Sequence, residues 1–433
     1  MEEEQPDSTN VDDTIPKNQL LRDLRLVDAI AIGLGAIIGA GIFVVTGVAA
    51  GVAGPAFLVG LLIAGMVATF NALSSAQLAA TYPQSGGTYE YGYRVLNPWL
   101  GFSAGWMFLA SKMAAGGTVA LGFASYLHAL FPAVPERPAA VAAVLTLTVI
   151  NYFGIRRTGK LNTLIVAFSL GALTYFVIAG IPVFNVANLQ PFAPTGFGGI
   201  LESAALMFFA YTGYARLATL GEEVVNPKRT IPRAIVAALG IAAFLYVAVA
   251  LVAVGGIGAQ ELAATASPLE RAAQNFPLPG TGQIVAVGAT FAMLGVLLSQ
   301  ILGISRMMFA MSRRKDLFPF LDHVNPYGIP GRGVLLTGFI LVIVVLLGTL
   351  EVIVAGAAFT ILLYYSIANM AAMRMHEKDR LFPRWVPVLG MASCLILAFT
   401  LEFNVIASGL GLLIAGLLLR LIYRRLKSPA ETT

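Results

Sequence analysis

The sequence predicts an all-α polytopic membrane protein with twelve transmembrane helices, and two observations carry this prediction. Of the 433 residues, 58% are hydrophobic and only 11% are charged, whereas soluble chains carry about 25% charged residues. The apolar residues are also grouped into blocks near the length of about 20 residues that spans a bilayer core. The predicted spans are approximately 27–50, 55–80, 100–127, 138–154, 162–182, 198–217, 231–253, 281–305, 333–350, 352–373, 386–401 and 403–420.

What remains outside the spans is short and polar. Residues 1–20 begin with an acidic stretch and lack the basic-then-apolar order of a signal peptide, so a disordered cytosolic tail is predicted there. The connections leave no room for a soluble catalytic domain, which argues against an enzyme. The single cysteine, Cys394, can form neither an internal disulfide nor a metal cluster.

The basic residues predict the orientation of the chain. With the N-terminus in the cytosol, Arg137 and Arg271 fall outside and Lys112 within a span, so 24 of the 27 lysines and arginines lie on the cytosolic side. Such an excess of positive charge marks the cytosolic face. We therefore expect a multi-pass protein of the cell (inner) membrane, with both termini in the cytosol and the basic clusters serving topology rather than nucleic-acid binding.

Two spans contain segments that can break a helix in mid-membrane. These are the glycine-rich stretch 33–41 in the first span and the stretch 208–214 in the sixth. They occupy matching places if spans one to five and six to ten are two repeats, and paired interruptions of this kind point to a transport site.

Broken helices in lipid require something polar to bind, because unsatisfied backbone groups are costly there. Free N–H groups around residues 40–42 would face a carboxylate at the positive end of one half-helix. Free carbonyl groups near residues 208–211 would accept an ammonium group at the negative end of the other. The two interruptions together therefore match the charged groups of an amino acid.

Four motifs in order carry a resemblance to a known family. They lie at residues 35–43 in the first span, 82–91 after the second, 222–235 after the sixth and 305–311 at the end of the eighth. Through them the chain resembles the amino acid–polyamine–organocation (APC) transporter superfamily over residues 20–425.

The resemblance implies a five-plus-five inverted repeat (the leucine-transporter fold) with two extra C-terminal helices, and transport by alternating access. The first repeat would cover 21–182, the second 198–375, and the last two helices with the cytosolic C-terminus 386–425. Substrate would lie between helices 1 and 6, near helices 3 and 8. The residues implied to hold it are Ile38, Gly39, Ala40, Gly41 and Ile42 on the carboxylate side, and Phe209, Ala210, Tyr211, Thr212 and Gly213 on the amine side.

Coupling to an ion is left open between protons and sodium. Some proton-coupled relatives carry a lysine in helix five, and Ser169 stands at about that place here. Ser299, Gln300 and Ser305 in span eight are polar residues that would touch a substrate or a sodium ion, or else only join helices. Ser169, Ser299 and Lys112 are the coupling candidates.

Lys112 is the one basic residue predicted in mid-membrane. It lies about twelve residues into span three, about 18 Å from the cytosolic end at about 1.5 Å per residue. An intramembrane lysine is a functional candidate by default. Its helical neighbours Ala115, Gly116 and Val119 form a small face, so Lys112 and Gly116 are predicted to border the substrate. Three roles compete: a fixed cation for a carboxylate, a titrating amine that couples protons, and a structural ion-pair partner.

Together these features predict a permease that moves amino acids with broad or neutral selectivity, by symport or antiport, as a monomer or homodimer in the lipid bilayer. No metal site or cofactor is expected. A polyamine or organic-cation antiporter is the alternative, against which a buried cation argues because it repels cationic substrates. A channel or a non-transporting amino-acid sensor is a further alternative. Glu222 and Glu223 with Arg229 and Arg233 would form an inner gate or a solvated loop pair.

Overall fold

The structure, a computed structural model, describes residues 24–82, 86–154, 159–218 and 224–427. The predicted tail at 1–20 and the acidic half of the predicted inner gate, Glu222 and Glu223, lie outside the described residues. Within them the architecture is helical, as predicted, apart from connections and one isolated backbone bridge between Leu24 and Val224.

The helices follow one another in this order: α1 (Leu26–Ile37), α2 (Thr46–Ala53), α3 (Phe57–Thr81), α4 (Gly87–Tyr91), α5 (Pro98–Leu130), α6 (Glu136–Tyr152), α7 (Gly159–Gly180), α8 (Gly196–Tyr211), α9 (Ala215–Ala218), α10 (Pro227–Ala263), α11 (Pro268–Ala273), α12 (Thr281–Arg313), α13 (Gly331–Leu347), α14 (Leu350–Met373), α15 (Trp385–Ala398) and α16 (Phe403–Lys427).

Length and composition make this a multi-pass membrane protein. Seven helical stretches of the described chain are long and apolar enough to cross a membrane, and two shorter ones are similarly apolar. The long stretches are Leu26–Thr81, Pro98–Leu130, Thr163–Val183, Arg229–Ala263, Thr281–Arg313, Leu350–Met373 and Phe403–Arg425, and the shorter ones Gly331–Leu347 and Trp385–Ala398. The count of twelve spans stays a prediction.

Helix α5 forms the centre of the bundle. It begins at Pro98, where the Asn97 side chain accepts hydrogen bonds from the backbone N–H groups of Trp99 and Leu100 at 3.0 and 2.9 Å. Asparagine is a favoured residue for capping a helix in this way, and proline suits the first turn. Helices α12 and α14 pack along α5, while α1 packs against α10, and α3 against α8. The two interrupted segments are thereby brought together beside α5 and α12.

Candidate substrate site

The first predicted interruption lies directly after α1. Ile38 is extended, with φ −77° and ψ 107°, and the chain then enters a π-helical turn over Gly41–Val45 before α2 begins. The first N–H groups of any helix lack intrahelical partners. Starting a new helix at this point therefore presents N–H groups around residues 40–42, where the sequence predicted N–H donors to a substrate carboxylate.

The second interruption is tighter than the first. Helix α8 ends at Tyr211, a single 3₁₀ turn covers Thr212–Tyr214, and α9 follows. The sequence predicted free carbonyl groups at 208–211, but the Thr212 hydroxyl donates to the Phe209 carbonyl at 2.9 Å. The backbone N–H group of Thr212 donates to the same carbonyl, so both lone pairs of this oxygen already have a donor.

The two interruptions contact each other through glycine. A Cβ atom added to Gly41 would lie 2.3 Å from the Cα of Ala210, and one added to Gly213 would lie 2.1 Å from the Ala36 carbonyl oxygen. Both distances are shorter than any real contact of a Cβ atom, so only glycine allows the backbones to approach this closely.

Tyr246 of α10 also joins the interruptions, and sequence reasoning missed it. Its buried hydroxyl donates to the Ile37 carbonyl at 2.8 Å and lies 3.4 Å from the Ala210 carbonyl. A single tyrosine within the apolar span 231–253 gives no sequence signal of this role. A buried tyrosine hydroxyl does, however, usually find a hydrogen-bond partner.

A small cavity separates the interruptions from α5 and α12. Its volume is about 40 Å³, room for a few water molecules rather than for an amino acid. The lining residues are Ala36, Ile37, Gly39, Ala40, Gly41, Lys112, Val119, Phe209, Ala210, Thr212, Gly213, Val296 and Gln300. Of the residues implied by the resemblance, Gly39, Ala40, Gly41, Phe209, Ala210, Thr212 and Gly213 are in this set, as is Lys112.

Lys112 is the basic residue of the cavity wall. Its ammonium group lies 5.9 Å from the centre of the Phe108 ring, a distance at which a cation is attracted to an aromatic face. In the part of the chain that the structure describes, Lys112 forms no ion pair and no hydrogen bond. A structural ion pair, one of the three predicted roles, is therefore absent among the described residues.

Gln300 of α12 lines the same cavity. Its Oε1 atom is buried and has no hydrogen-bond partner among the described residues. A Cβ atom added to Gly116 would lie 3.4 Å from that oxygen and 2.7 Å from the Leu341 side chain. The space beside Gly116, which the sequence suggested was open to substrate, is thus bordered by Gln300 and Leu341.

The other predicted residues lie around this centre rather than on it. Ile38 and Ser169 line a second cavity of about 10 Å³ between α1, α7 and α12. The Ser169 hydroxyl donates to the Ile165 carbonyl at 2.8 Å. Ile42 is buried, Tyr211 packs against Tyr246, and Ser299 lies on an exposed face of α12.

A second polar cluster lies at the end of the bundle where α16 ends. Asp316, after α12, forms an ion pair with Arg420 of α16 at 2.9 Å, and both side chains are fully buried. Tyr89 of α4 donates to Asp316 at 2.8 Å, and the hydroxyl of Tyr93 also contacts it. We call Tyr89, Glu90, Tyr93, Asp316 and Arg420 the Asp316 network.

Aromatic rings and further arginines complete the Asp316 network. The Arg420 guanidinium lies 4.9 Å from the Trp99 ring and 5.0 Å from the Phe102 ring. Arg94 and Arg314 both pair with Glu90. Burial, and next the nearby Asp316 carboxylate, raise the pKa of Tyr89, so its hydroxyl stays protonated as a donor at neutral pH.

Comparison with known proteins identifies the family of this multi-pass membrane protein. The chain belongs to the amino acid permease family, whose model matches residues 28–429. This confirms the resemblance seen in the sequence motifs.

Three relatives illustrate the range of the family. An uncharacterized transporter of Mycobacterium tuberculosis is 40% identical, covering 92% of this chain and 90% of its own length. The branched-chain amino acid permease BcaP of Bacillus subtilis is 29% identical, with 95% of each chain covered. A methylthioribose transporter of Bacillus subtilis is 31% identical, with 94% of each chain covered. The protein is therefore a membrane transporter of the amino acid permease family.

Proposed function

We propose that the protein carries amino acids across the cell membrane by alternating access, holding the substrate between the interruptions after α1 and α8. One observation carries the proposal: both interruptions border a single cavity that also contains Lys112. Non-helical backbone at membrane depth persists where it lines a cavity or a binding site. N–H groups at residues 40–42 would bind the carboxylate, and carbonyl groups at 208–211 would bind the ammonium.

Transport by this site requires movement. A cavity of about 40 Å³ is far below the roughly 300 Å³ or more typical of ligand sites. The contact of Gly41 with Ala210 must open before an amino acid enters. The glycine contacts and the Tyr246 hydroxyl would re-form when the empty carrier closes.

We extend the proposal to the whole architecture. The first repeat would cover 21–182 and the second 198–375, with two additional helices in 386–425, giving twelve spans in all. The helices α1 to α16 include one or more segments within each predicted span, which supports this division. The distribution of lysine and arginine supports cytosolic termini, with the Asp316 network at the cytosolic face.

We assign Lys112 to the substrate site or to ion coupling, with Ser169 and Ser299 as the other coupling candidates. Its place in the cavity wall and its lack of an ion-pair partner among the described residues support the assignment. A fixed positive charge disfavours cationic substrates, which argues against the polyamine alternative.

The test of Lys112 is uptake into liposomes by a Lys112→Met protein over a range of pH. We expect uptake to fall by about tenfold or more, or the pH profile to flatten. Lys378→Met is the matched control because Lys378 is exposed. Retention of both the wild-type rate and the wild-type pH profile would remove Lys112 from the mechanism.

Two further measurements test the class of function. Counterflow of labelled substrate into preloaded liposomes occurs with a carrier and not with a channel or a sensor. Thermal unfolding in the presence of each of the amino acids, common polyamines and methylthioribose identifies the ligand, because a compound that binds only the native state raises the Tm. Stabilisation by polyamines alone would replace amino acids as the proposed substrate.

A further inference from the structure

Gln300 carries an acceptor that the described protein does not satisfy. Its Oε1 atom is buried, has no hydrogen-bond partner and belongs to a residue that lines the central cavity. Buried polar groups are nearly always hydrogen-bonded in native proteins, so each exception calls for an explanation. The position of Gln300 on the cavity wall supports one explanation, namely that a ligand in the cavity supplies the donor.

Lys112 lies one helical turn from the place where the Gln300 amide packs. The Gln300 oxygen would be 3.4 Å from a Cβ atom on Gly116, and Gly116 follows Lys112 by four residues on the same face of α5. An ammonium donor and an amide acceptor, neither hydrogen-bonded within the described chain, therefore border one cavity. Most of the remaining side chains of its wall are small or aliphatic, among them Ala36, Ile37 and Val296.

The two interruptions account for the α-amino and α-carboxyl groups in the proposed function, which leaves Lys112 and Gln300 for the rest of the substrate. We infer that Gln300, together with Lys112, selects amino acids whose side chain both accepts and donates a hydrogen bond, namely neutral hydroxyl or carboxamide side chains. This inference rests on the proposed function and names the substrate class of the same site.

The chemistry of the pair separates the competing side chains. An aliphatic side chain leaves Lys112 and Gln300 both unsatisfied, and a cationic one is repelled by Lys112. A carboxylate pairs with Lys112 but offers no donor to the Gln300 oxygen, which is the atom of that amide that is buried without a partner. A hydroxyl or carboxamide group accepts from the ammonium and donates to the amide oxygen.

Isosteric amino acids test this inference without a change in substrate size. Threonine and valine have nearly the same shape, as do asparagine and leucine, and each pair differs in its hydrogen-bonding groups. We expect uptake of threonine to exceed that of valine by about tenfold or more at equal concentration, because a polar site strongly rejects an analogue that leaves its groups unpaired. The same order is expected for asparagine over leucine.

Gln300→Leu should lower the threonine-to-valine ratio by about threefold or more, and the remaining preference for threonine comes from Lys112 alone. Gln283→Leu is the matched control: it makes the same replacement on α12 at an exposed position and should keep the wild-type ratio. Where Gln300→Leu does not fold, Gln300→Met serves in its place, and the wild-type ratios need no variant.

The outcomes distinguish a failure of this inference from a failure of the proposed function. Equal transport of threonine and valine by the wild type, or a wild-type ratio in Gln300→Leu, overturns the inference and leaves amino acid transport intact. Absence of transport and of thermal stabilisation for every amino acid overturns the proposed function itself.

Discussion

Arg420 and Lys112 are two basic side chains inside the described part of the chain, and their surroundings are opposite. In the Asp316 network, Arg420 has an ion pair at 2.9 Å, a hydrogen bond to Tyr93 at 2.6 Å and aromatic rings on its faces. In the central cavity, Lys112 has no ion pair and no hydrogen bond among the described residues, and its ammonium group lies 5.9 Å from the centre of the Phe108 ring.

The comparison distinguishes a charge that stabilises the fold from a charge that is available to a ligand. Removing a charge from water is costly, and an ion pair recovers much of that cost inside the protein. Arg420 has such a pair, although its Nη1 atom has no hydrogen-bond partner among the described residues. The Asp316 network thus ties α16 to α4 and to the end of α12 in one fixed arrangement. A charge that lacks such partners keeps its interaction energy available for a ligand, as the function we propose for Lys112 requires.

The largest expected effect on stability comes from breaking the buried ion pair of the Asp316 network. Arg420→Met leaves the buried Asp316 with only Arg424 as a counter-charge, and Arg424 is half exposed and 3.6 Å away. The free energy of unfolding should fall by about 3 kcal/mol, the lower end of the range for a broken buried pair. Thermal unfolding of the purified protein measures this. Arg271→Met is the control, since Arg271 and its partner Glu261 are about half exposed and such pairs contribute about 1 kcal/mol or less.

A double variant sharpens the interpretation. Arg420→Met combined with Asp316→Leu removes both charges, so no unpaired ion remains buried and much of the lost stability should return. An equal Tm for Arg420→Met and Arg271→Met would contradict the view that the Asp316 network fixes α16.

A smaller effect is expected where the interruptions meet. Gly41→Ala places a methyl group against the backbone of Ala210, and overpacking of this kind costs about 1–3 kcal/mol. Uptake should fall with it, because the closed arrangement no longer forms. Gly240→Ala is the control, as a Cβ atom there meets nothing within 4 Å. Uptake by Gly41→Ala equal to that of Gly240→Ala would show that the contact is dispensable.

The sequence predicted the central region better than the paired one, and the reason is physical. Glycine-rich stretches and a charge at membrane depth are local signals, so the interruptions and Lys112 are visible in single spans. Asp316 and Arg420 are 104 residues apart. Arg420 also belongs to a basic run at a span end, where topology alone explains it.

Gln300 and the second interruption show a different limit of prediction from sequence. A glutamine in a span is typical of polar contacts between helices, and only the absence of a hydrogen-bond partner for its oxygen separates it from that role. The sequence predicted the position of the second interruption but not its conformation. It predicted free carbonyl groups, whereas a 3₁₀ turn continues the helix with different hydrogen bonds.

The smallest effect we predict is that of Tyr246→Phe, which removes the hydroxyl between the interruptions. The Ile37 carbonyl then loses a hydrogen bond of 2.8 Å, and the free energy of unfolding should fall by about 1 kcal/mol. Tyr327→Phe, at an exposed position, should leave the Tm unchanged. A loss as large as that of Arg420→Met would contradict the comparison between the two regions. A neutral hydroxyl suits this position under the proposed mechanism, in which the interruptions separate in each transport cycle and water entering the opened cavity replaces either partner. A buried ion pair in the same place would oppose opening far more strongly.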